Sequence, residues 1–290
     1  MSDQSHIRNV SDTAHWVAMY RAMETDRKEP LFRDPFARRL AGPRGEAIIE
    51  TLPRARAMAW AMIVRTAVMD EILLRAVNRE GVRTVVNLAA GLDARPWRLD
   101  LPMKLTWLDV DLPDIQQYKR KMLKDEHAQC QLEWVPADLA DPGARRSVLA
   151  KVAASPGPAL VITEGLLIYL EREQVMALAT DLATTANLRW WLLDIASPGL
   201  LKMMSRTWGK GVSQSAPFKF APEEDTAFFE PAGWKEVEYR SMWHESFRLK
   251  RTMRLARLWS VVGAITTMFN PRKRKEMQRF SGIVLMERRR

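Results

Sequence analysis

Short apolar runs alternate along the chain with longer stretches in which apolar positions recur at the spacing of an α-helix. Seven runs have the length and composition of β-strands: residues 84–88, 105–110, 132–135, 160–163, 190–195, 235–239 and 283–286. Helical patterns cover residues 68–77, 115–123, 145–152 and 174–183. Because strands and helices alternate through the first five strands, the pattern predicts an α/β fold with a mostly parallel seven-stranded sheet and helices on both faces.

Interruptions of this pattern define the expected domain organisation. Residues 63–290 are predicted to form one α/β domain, and a helical region at residues 1–62 precedes its first strand. Two inserts late in the chain separate strands: an aromatic segment at 197–229 and a basic helical segment at 247–279. Ligands of open α/β sheets bind outside the carboxyl ends of the strands, so the N-terminal region and the aromatic insert are expected to act as lids.

Composition restricts the class of protein. Of the 290 residues, 47% are hydrophobic and 28% are charged, which is typical of a globular protein. The sequence contains no apolar run of the ~18 residues that a membrane-spanning helix requires. Its first thirty residues carry charges throughout, without the apolar core of a signal peptide. We therefore expect a cytoplasmic protein.

The net charge of +10 comes from one end of the chain. Residues 248–290 contain thirteen Lys and Arg against two Glu, so the remainder is close to neutral. Positive charge that avoids the α/β body argues against a nucleic-acid partner. The basic end is either a solvated or packed surface, or a helix that contacts an anionic membrane through residues 248–275.

Metal and thiol chemistry have little support in the sequence. Cys130 is the single cysteine and has no partner for an internal disulfide. The four histidines, at positions 6, 15, 127 and 244, lack the spacing of a metal site, so no metal is expected.

The first predicted strand runs into a loop of small residues. Ala89, Ala90 and Gly91 in that loop would let a ligand approach the backbone closely. Asp93 and Arg95 follow, and these two residues either cap the next helix and pair with each other or face the ligand.

A carboxylate at the end of the second strand can accept both ribose hydroxyls of an adenosine cofactor. Asp111, twenty residues after Gly91, has that position. Asp109 is the alternative, and we favour Asp111 because Asp109 has the pattern of a solvated or helix-capping acid.

Two further acids narrow the kind of cofactor. Asp138 closes the third strand, where it can accept from an adenine amino group while Leu139 offers its backbone N–H to the ring. Glu164 ends the fourth strand and can face the ammonium of a methionine moiety. Arg65 is the candidate partner for the methionine carboxylate, since a guanidinium binds a carboxylate with two parallel hydrogen bonds.

Several segments together resemble the leucine carboxyl methyltransferase family, in particular its bacterial branch. They are residues 87–95, 108–113, 137–139 and 163–170, preceded by 13–14, 21–22 and 31–37. The resemblance implies a Rossmann-like class I O-methyltransferase that uses S-adenosylmethionine. It also implies cofactor contacts through Arg65, Ala89, Ala90, Gly91, Asp111, Asp138, Leu139 and Glu164. The chain departs from many class I methyltransferases at Asn87 and Ala89, where an acid and a glycine are common.

The resemblance leaves the methyl acceptor open. We expect a carboxylate or hydroxyl of a small apolar metabolite, because Trp208, Phe218, Phe220, Phe228 and Phe229 make the predicted lid aromatic. The alternatives are a protein C-terminal carboxylate, a nucleic acid, or a cofactor-binding module without catalysis.

A hydroxyl acceptor would benefit from a general base, whereas a carboxylate would not. The candidate bases are His15, Tyr169 and His244, none of which the sequence singles out.

Overall fold

Seven strands form the sheet in the computed structural model, which describes residues 10–51, 55–208, 217–253, 255–256, 258 and 270–289. The strands are β1 (Thr84–Leu88), β2 (Thr106–Asp111), β3 (Gln131–Pro136), β4 (Ala159–Thr163), β5 (Leu188–Ala196), β6 (Trp234–Ser241) and β7 (Ser281–Arg288). Each coincides with one of the seven predicted strands to within a few residues, so the predicted strand inventory is confirmed.

The strand order is β3-β2-β1-β4-β5-β7-β6. Strands β1 to β5 pair in parallel, and β7 runs antiparallel between β5 and β6. The order reverses between β1 and β4, and such a switch point opens a crevice at the carboxyl ends of the two strands. All residues of β1 and β4 are buried, as expected for central parallel strands that are covered on both faces.

Ten helices accompany the sheet in the described part of the chain. They are α1 (Val10–Thr25), α2 (Ala37–Thr51), α3 (Ala55–Arg79), α4 (Arg95–Arg98), α5 (Pro113–Met122), α6 (Pro142–Ala154), α7 (Arg172–Thr184), α8 (Pro198–Trp208), α9 (Met242–Arg248) and α10 (Pro271–Gln278). Short 3-10 turns lie at Leu167–Tyr169 and Asp225–Ala232. The four predicted helical patterns fall within α3, α5, α6 and α7.

Local sequence explains where the crossover helices begin. Proline occupies the first turn of both α5 and α6, where its missing N–H costs nothing. Asp141 caps α6, because its carboxylate accepts from the backbone N–H groups of Gly143 and Ala144. Helix α7 begins with a capping box between Glu171 and Gln174.

Helix α3 spans the predicted boundary between residues 62 and 63. It is one continuous helix, so the N-terminal region and the α/β domain share it. The packing of its side chains, however, changes near the predicted position. Ala55, Ala59 and Ile63 pack with α1 and α2, whereas Val64 and Val68 belong to the core on one face of the sheet. The boundary therefore exists in the side-chain packing and not in the backbone.

The two predicted inserts contain α8 and α10. Residues 209–216 of the first insert, and 254, 257 and 259–269 of the second, lie outside the described residues, and with them lies most of the apolar run considered for membrane contact. That contact stays a prediction. None of the helices in the described part of the chain is long and apolar enough to cross a membrane.

Candidate functional site

A cavity of about 1540 Å³ opens at the carboxyl ends of β1 and β4, at the switch point of the sheet. All eight residues predicted to contact a cofactor line it, from Arg65 on α3 to Glu164 after β4. Parallel strands end at one edge of the sheet, which is why residues a hundred positions apart meet there. The structure thus brings the predicted site together, while the role of each residue stays a prediction.

Left-handed backbone shapes the loop after β1. Ala89 has φ +52° and Gly91 has φ +51°. Glycine adopts this conformation without strain, whereas a residue with a Cβ pays about 1 kcal/mol. The turn exposes backbone along the cavity and directs the Gly91 N–H to the Asp111 carboxylate, at 2.5 Å.

Replacing Ala89 by glycine is expected to leave the free energy of unfolding unchanged within about 0.5 kcal/mol. Relief of the left-handed strain offsets the larger backbone entropy that glycine brings to the unfolded chain. Ala90→Gly is the matched control, because Ala90 is not among the residues with positive φ. That variant should lose about 0.4–1 kcal/mol in urea unfolding. Equal losses in the two variants would contradict a strained Ala89.

The two aspartates considered for the ribose lie in different environments. Asp111 lines the cavity, and its two carboxylate oxygens accept from the backbone N–H groups of Gly91 and Leu112. Asp109 is fully buried and forms a 2.7 Å ion pair with Lys119. Only Asp111 faces the space where a cofactor would lie, which supports the choice made from the sequence.

Asp111→Asn is expected to weaken S-adenosylmethionine binding about fivefold. The amide keeps the shape of the side chain but loses one acceptor for a ribose hydroxyl, and such a hydrogen bond contributes about 1 kcal/mol. Isothermal titration calorimetry measures the change. The choice of Asp111 would be wrong if the variant bound the cofactor as tightly as the parent.

Glu164 lies between two arginines. Its Oε1 is 3.0 Å from Arg65 Nε, and its Oε2 accepts from Arg95 Nη1 at 2.8 Å. Burial raises the pKa of the Glu164 carboxyl, but Arg95 and Arg65 more than offset this and hold the pKa below its usual value. Glu164 is therefore an anion at neutral pH, as the predicted contact with an ammonium group requires.

Arg65 is held in turn by Asp194 on β5. Its Nη1 lies 3.2 Å from Asp194 Oδ2, and Asp194 Oδ1 accepts from the Gly165 N–H at 2.7 Å. Gly165 has φ +65°, and a Cβ there would lie 3.2 Å from Arg65 Nη1. This glycine therefore lets the guanidinium pass close to the backbone.

Arg95 is the main site residue that sequence reasoning did not place. Its side chain is 2% exposed and donates to Asp93 and Asp70, each at 2.6 Å, as well as to Glu164. The pairing of Asp93 with Arg95, one of the two interpretations left open, is thus observed. Asp70 also pairs with Arg98 at 2.7 Å.

Asn87, one of the two departures from the methyltransferase pattern, has a partner that explains it. Its side-chain amide donates to Asp93 Oδ2 at 2.8 Å, in a fully buried contact. An acid at position 87 would instead face the carboxylate of Asp93. Burial raises the pKa of Asp93, but Arg95 and the neighbouring cations hold it well below the usual range.

Asp138 and Leu139 line the cavity beyond the end of β3. Asp138 Oδ1 accepts from the Ala140 N–H at 2.9 Å, and the Leu139 carbonyl accepts from Arg145 at 3.1 Å. These bonds fix the turn that would present the Asp138 carboxylate and the Leu139 backbone to an adenine ring.

The three candidate bases are separated by the structure. His15 donates from Nδ1 to the Ala41 carbonyl at 2.9 Å, and burial lowers its pKa. His244 is exposed on α9. Neither histidine lines the cavity, so their predicted role gains no support from the geometry. Tyr169 does line it, next to Phe218, and burial raises the pKa of its hydroxyl.

The predicted aromatic lid divides into two groups. Phe218 and Phe220 line the cavity, whereas Phe228 and Phe229 pack into the core with Trp191 and Trp234. Phe228 and Phe229 therefore do not face the cavity as predicted for the lid, because the 3-10 turn that carries them lies against β6. The side chain of Trp208 lies outside what the structure describes.

Two arginines join helix α1 to neighbouring parts of the cavity wall. Arg21 on α1 donates to the Leu92 carbonyl at 2.6 Å and to Asp34 at 2.8 Å. Arg251, after α9, donates to the buried Glu24 on α1 at 2.7 Å. The start of the basic insert therefore lies against the same cavity as the N-terminal region. The sequence did not predict this position of the insert.

The described residues contain neither a metal-binding group nor a reactive thiol. The described acids, histidines and cysteine form no group of three or more that could hold a metal ion. Burial raises the pKa of the Cys130 thiol to about 12, so it stays protonated at neutral pH.

The sequence of this chain is similar to a known family and to individual proteins of known sequence. Residues 14–183 match the family model described as leucine carboxyl methyltransferase. A protein of Frankia alni is 35% identical over 239 residues, which cover 77% of this chain and 82% of that protein. A protein of Streptomyces avermitilis is 32% identical over 237 residues, with the same two coverages of 77% and 82%. Both names assign these relatives provisionally to the S-adenosyl-L-methionine-dependent methyltransferases.

Two solved structures share the fold at low sequence identity. A duf574 family protein from Streptomyces avermitilis has a TM-score of 0.56 and 12% identity, covering 94% of this chain and 97% of that one. A protein from Thermobifida fusca, described provisionally as a methyltransferase, has a TM-score of 0.56 and 11% identity, with coverages of 99% and 97%. The architecture is the Rossmann-like fold of class I methyltransferases.

Proposed function

Since the chain belongs to the leucine carboxyl methyltransferase family and is an S-adenosylmethionine-dependent methyltransferase, we propose that it methylates an oxygen of a small apolar metabolite. The acceptor oxygen belongs to a carboxylate or a hydroxyl. The observation that carries this proposal is the cavity itself, where polar groups at the strand ends adjoin walls of methionine and aromatic side chains.

The residues present suit this cofactor. The amino and carboxyl groups of a methionine moiety are attached to one carbon, so their partners must be neighbours. Glu164 and Arg65, which we propose for these two groups, lie 3.0 Å apart. Asp111 and Asp138 occupy the strand ends next to the left-handed loop, where the ribose and adenine would bind.

S-adenosylmethionine supplies an activated methyl group when bound, and the protein's task is to orient the acceptor and exclude water. Glu164 and Arg65 would fix the methionine end, and Asp194 and Arg95 would hold these two side chains in place. Helix α1 and the segment around Arg251 cover the cavity and would limit access of water.

A carboxylate is the acceptor that the geometry favours. Burial raises the pKa of Tyr169, the one of the three candidate bases that lines the cavity, so its hydroxyl stays protonated at neutral pH. A protonated hydroxyl can donate a hydrogen bond to an acceptor but cannot remove a proton from an alcohol. A carboxylate is already ionised at neutral pH and needs no base.

Incubation of the protein with methyl-labelled S-adenosylmethionine and a host extract tests the proposal. We expect label in small organic-soluble molecules, and brief mild alkali should release it as methanol, because methyl esters hydrolyse and methyl ethers do not. Alkali-resistant label would move the acceptor to a hydroxyl. Label confined to protein or RNA would contradict a metabolite acceptor.

A further inference from the structure

Methionine is common among the side chains that line the cavity. Eight of the chain's sixteen methionines line this one cavity. They come from elements distant in sequence, among them Met58 and Met62 on α3 and Met203 and Met204 on α8. A core that merely filled space would draw on Leu, Ile and Val, as the sheet faces of this protein do.

We call the eight methionine side chains that line the cavity the methionine wall. Part of this wall lies next to the proposed site of methyl transfer. Met58, Met62 and Arg65 follow one another at helical spacing on α3, so they share one face of that helix. Helix α8 follows directly after β5, whose Asp194 holds Arg65. The acceptor would therefore extend from the methionine end of the cofactor along these side chains.

The size of the cavity leaves room for more than the cofactor. Sites for single small ligands usually measure about 300–1,000 Å³. This cavity measures about 1540 Å³, which suits a cofactor and an acceptor of comparable length together. Methionine is unbranched and polarizable, and its side chain adapts to ligands of different shape.

From these observations we infer that the acceptor is a flexible, long-chain apolar acid, and that the methionine wall lets chains of different length bind. The inference rests on the proposed function, which it narrows to a class of acceptor. The carboxylate would lie near Tyr169, and the chain would lie along α3 and α8.

Calorimetric titration of the protein with hexanoate, octanoate, decanoate and dodecanoate, each below its micelle concentration, tests this inference. We expect the affinity to rise by up to fourfold for each added methylene, the factor that corresponds to about 0.8 kcal/mol per buried CH₂. An affinity independent of chain length would overturn the inference.

Two tryptophan variants place the chain in the cavity. Met203 is 44% exposed and lines the cavity, so Met203→Trp should fold and narrow the acceptor space. We expect it to weaken dodecanoate at least tenfold and hexanoate less than twofold. Met103, which is 83% exposed and does not line the cavity, provides the matched control Met103→Trp. Equal effects of the two substitutions would contradict binding along α8.

The calorimetric titration and the labelling assay together distinguish this inference from the proposed function. Chain-length dependence without transfer of label to any oxygen would leave the chain-binding site standing and remove the O-methyltransferase proposal. Transfer of label to short apolar acids, without chain-length dependence, would leave the O-methyltransferase proposal standing and remove the long-chain site.

Discussion

Glu164→Gln is expected to weaken S-adenosylmethionine binding at least tenfold. The carboxylate is largely buried, carries a full negative charge at neutral pH and lies within 3.0 Å of both arginines at the proposed methionine end. An ammonium group that loses a charged partner in such a site loses about 1.5–3 kcal/mol. Glutamine also leaves two guanidinium groups facing the ammonium with one anion fewer. Calorimetry with the cofactor measures the loss directly.

The fold should survive this substitution, because Arg95 keeps Asp70 and Asp93, and Arg65 keeps Asp194. Thermal unfolding verifies that point. Glu173→Gln, at an exposed position on α7, is the matched control and should change the affinity less than twofold. If Glu164→Gln bound the cofactor as well as the parent does, the methionine end would have to lie elsewhere in the cavity.

Sequence periodicity was sufficient to locate the sheet because buried parallel strands are short apolar runs bounded by turns. β1 and β4 are buried along their whole length. The predicted boundary at residue 62 falls inside α3. Apolar positions in α3 continue at helical spacing across Ile63 and Val64, and only the identity of the packing partners changes there.

The acids of the site could be predicted because each follows a strand. Asp111, Asp138 and Glu164 needed only the rule that parallel strands end at one edge of the sheet. Asp194 lies within the last residues of β5, as a single acid between Leu193 and Ile195, and an acid near the carboxyl end of a parallel strand is a signal that could have found it.

Arg95 could not be assigned in this way. Arg95 contacts Asp70 on α3, 25 positions away, and Glu164 after β4, 69 positions away, and both contacts depend on tertiary packing that sequence periodicity does not reveal. The same limit applies to Asp109. Its partner Lys119 lies one crossover later, and nothing in the sequence distinguishes Lys119 from the neighbouring surface cations of α5.

Asp109→Asn is expected to cost about 3–5 kcal/mol in the free energy of unfolding, the usual loss when one partner of a buried ion pair is removed. Asp109 and Lys119 are both fully buried, and the Lys119 ammonium also lies 5.7 Å from the rings of Trp97 and Trp134. An amide at position 109 leaves this cation without an anion.

The stability of Lys119→Met should depend on pH more strongly than the stability of the parent does. Burial already raises the pKa of Asp109 to about 6, and loss of the cation raises it further. Between pH 4 and the folded pKa, the folded protein then binds a proton that the unfolded chain has released. Stability therefore falls as pH rises through this range. We expect Lys119→Met to be closer in stability to the parent at pH 5 than at pH 7.

Urea unfolding of both single variants and of the double variant Asp109→Asn/Lys119→Met measures the coupling. The double variant leaves no buried charge at these two positions, so we expect it to be more stable than the sum of the single losses implies, by at least about 2 kcal/mol. Glu133→Gln, which breaks the exposed ion pair with Lys151, is the control and should cost less than about 1 kcal/mol. Strictly additive losses at positions 109 and 119 would mean that the two charges do not stabilise each other.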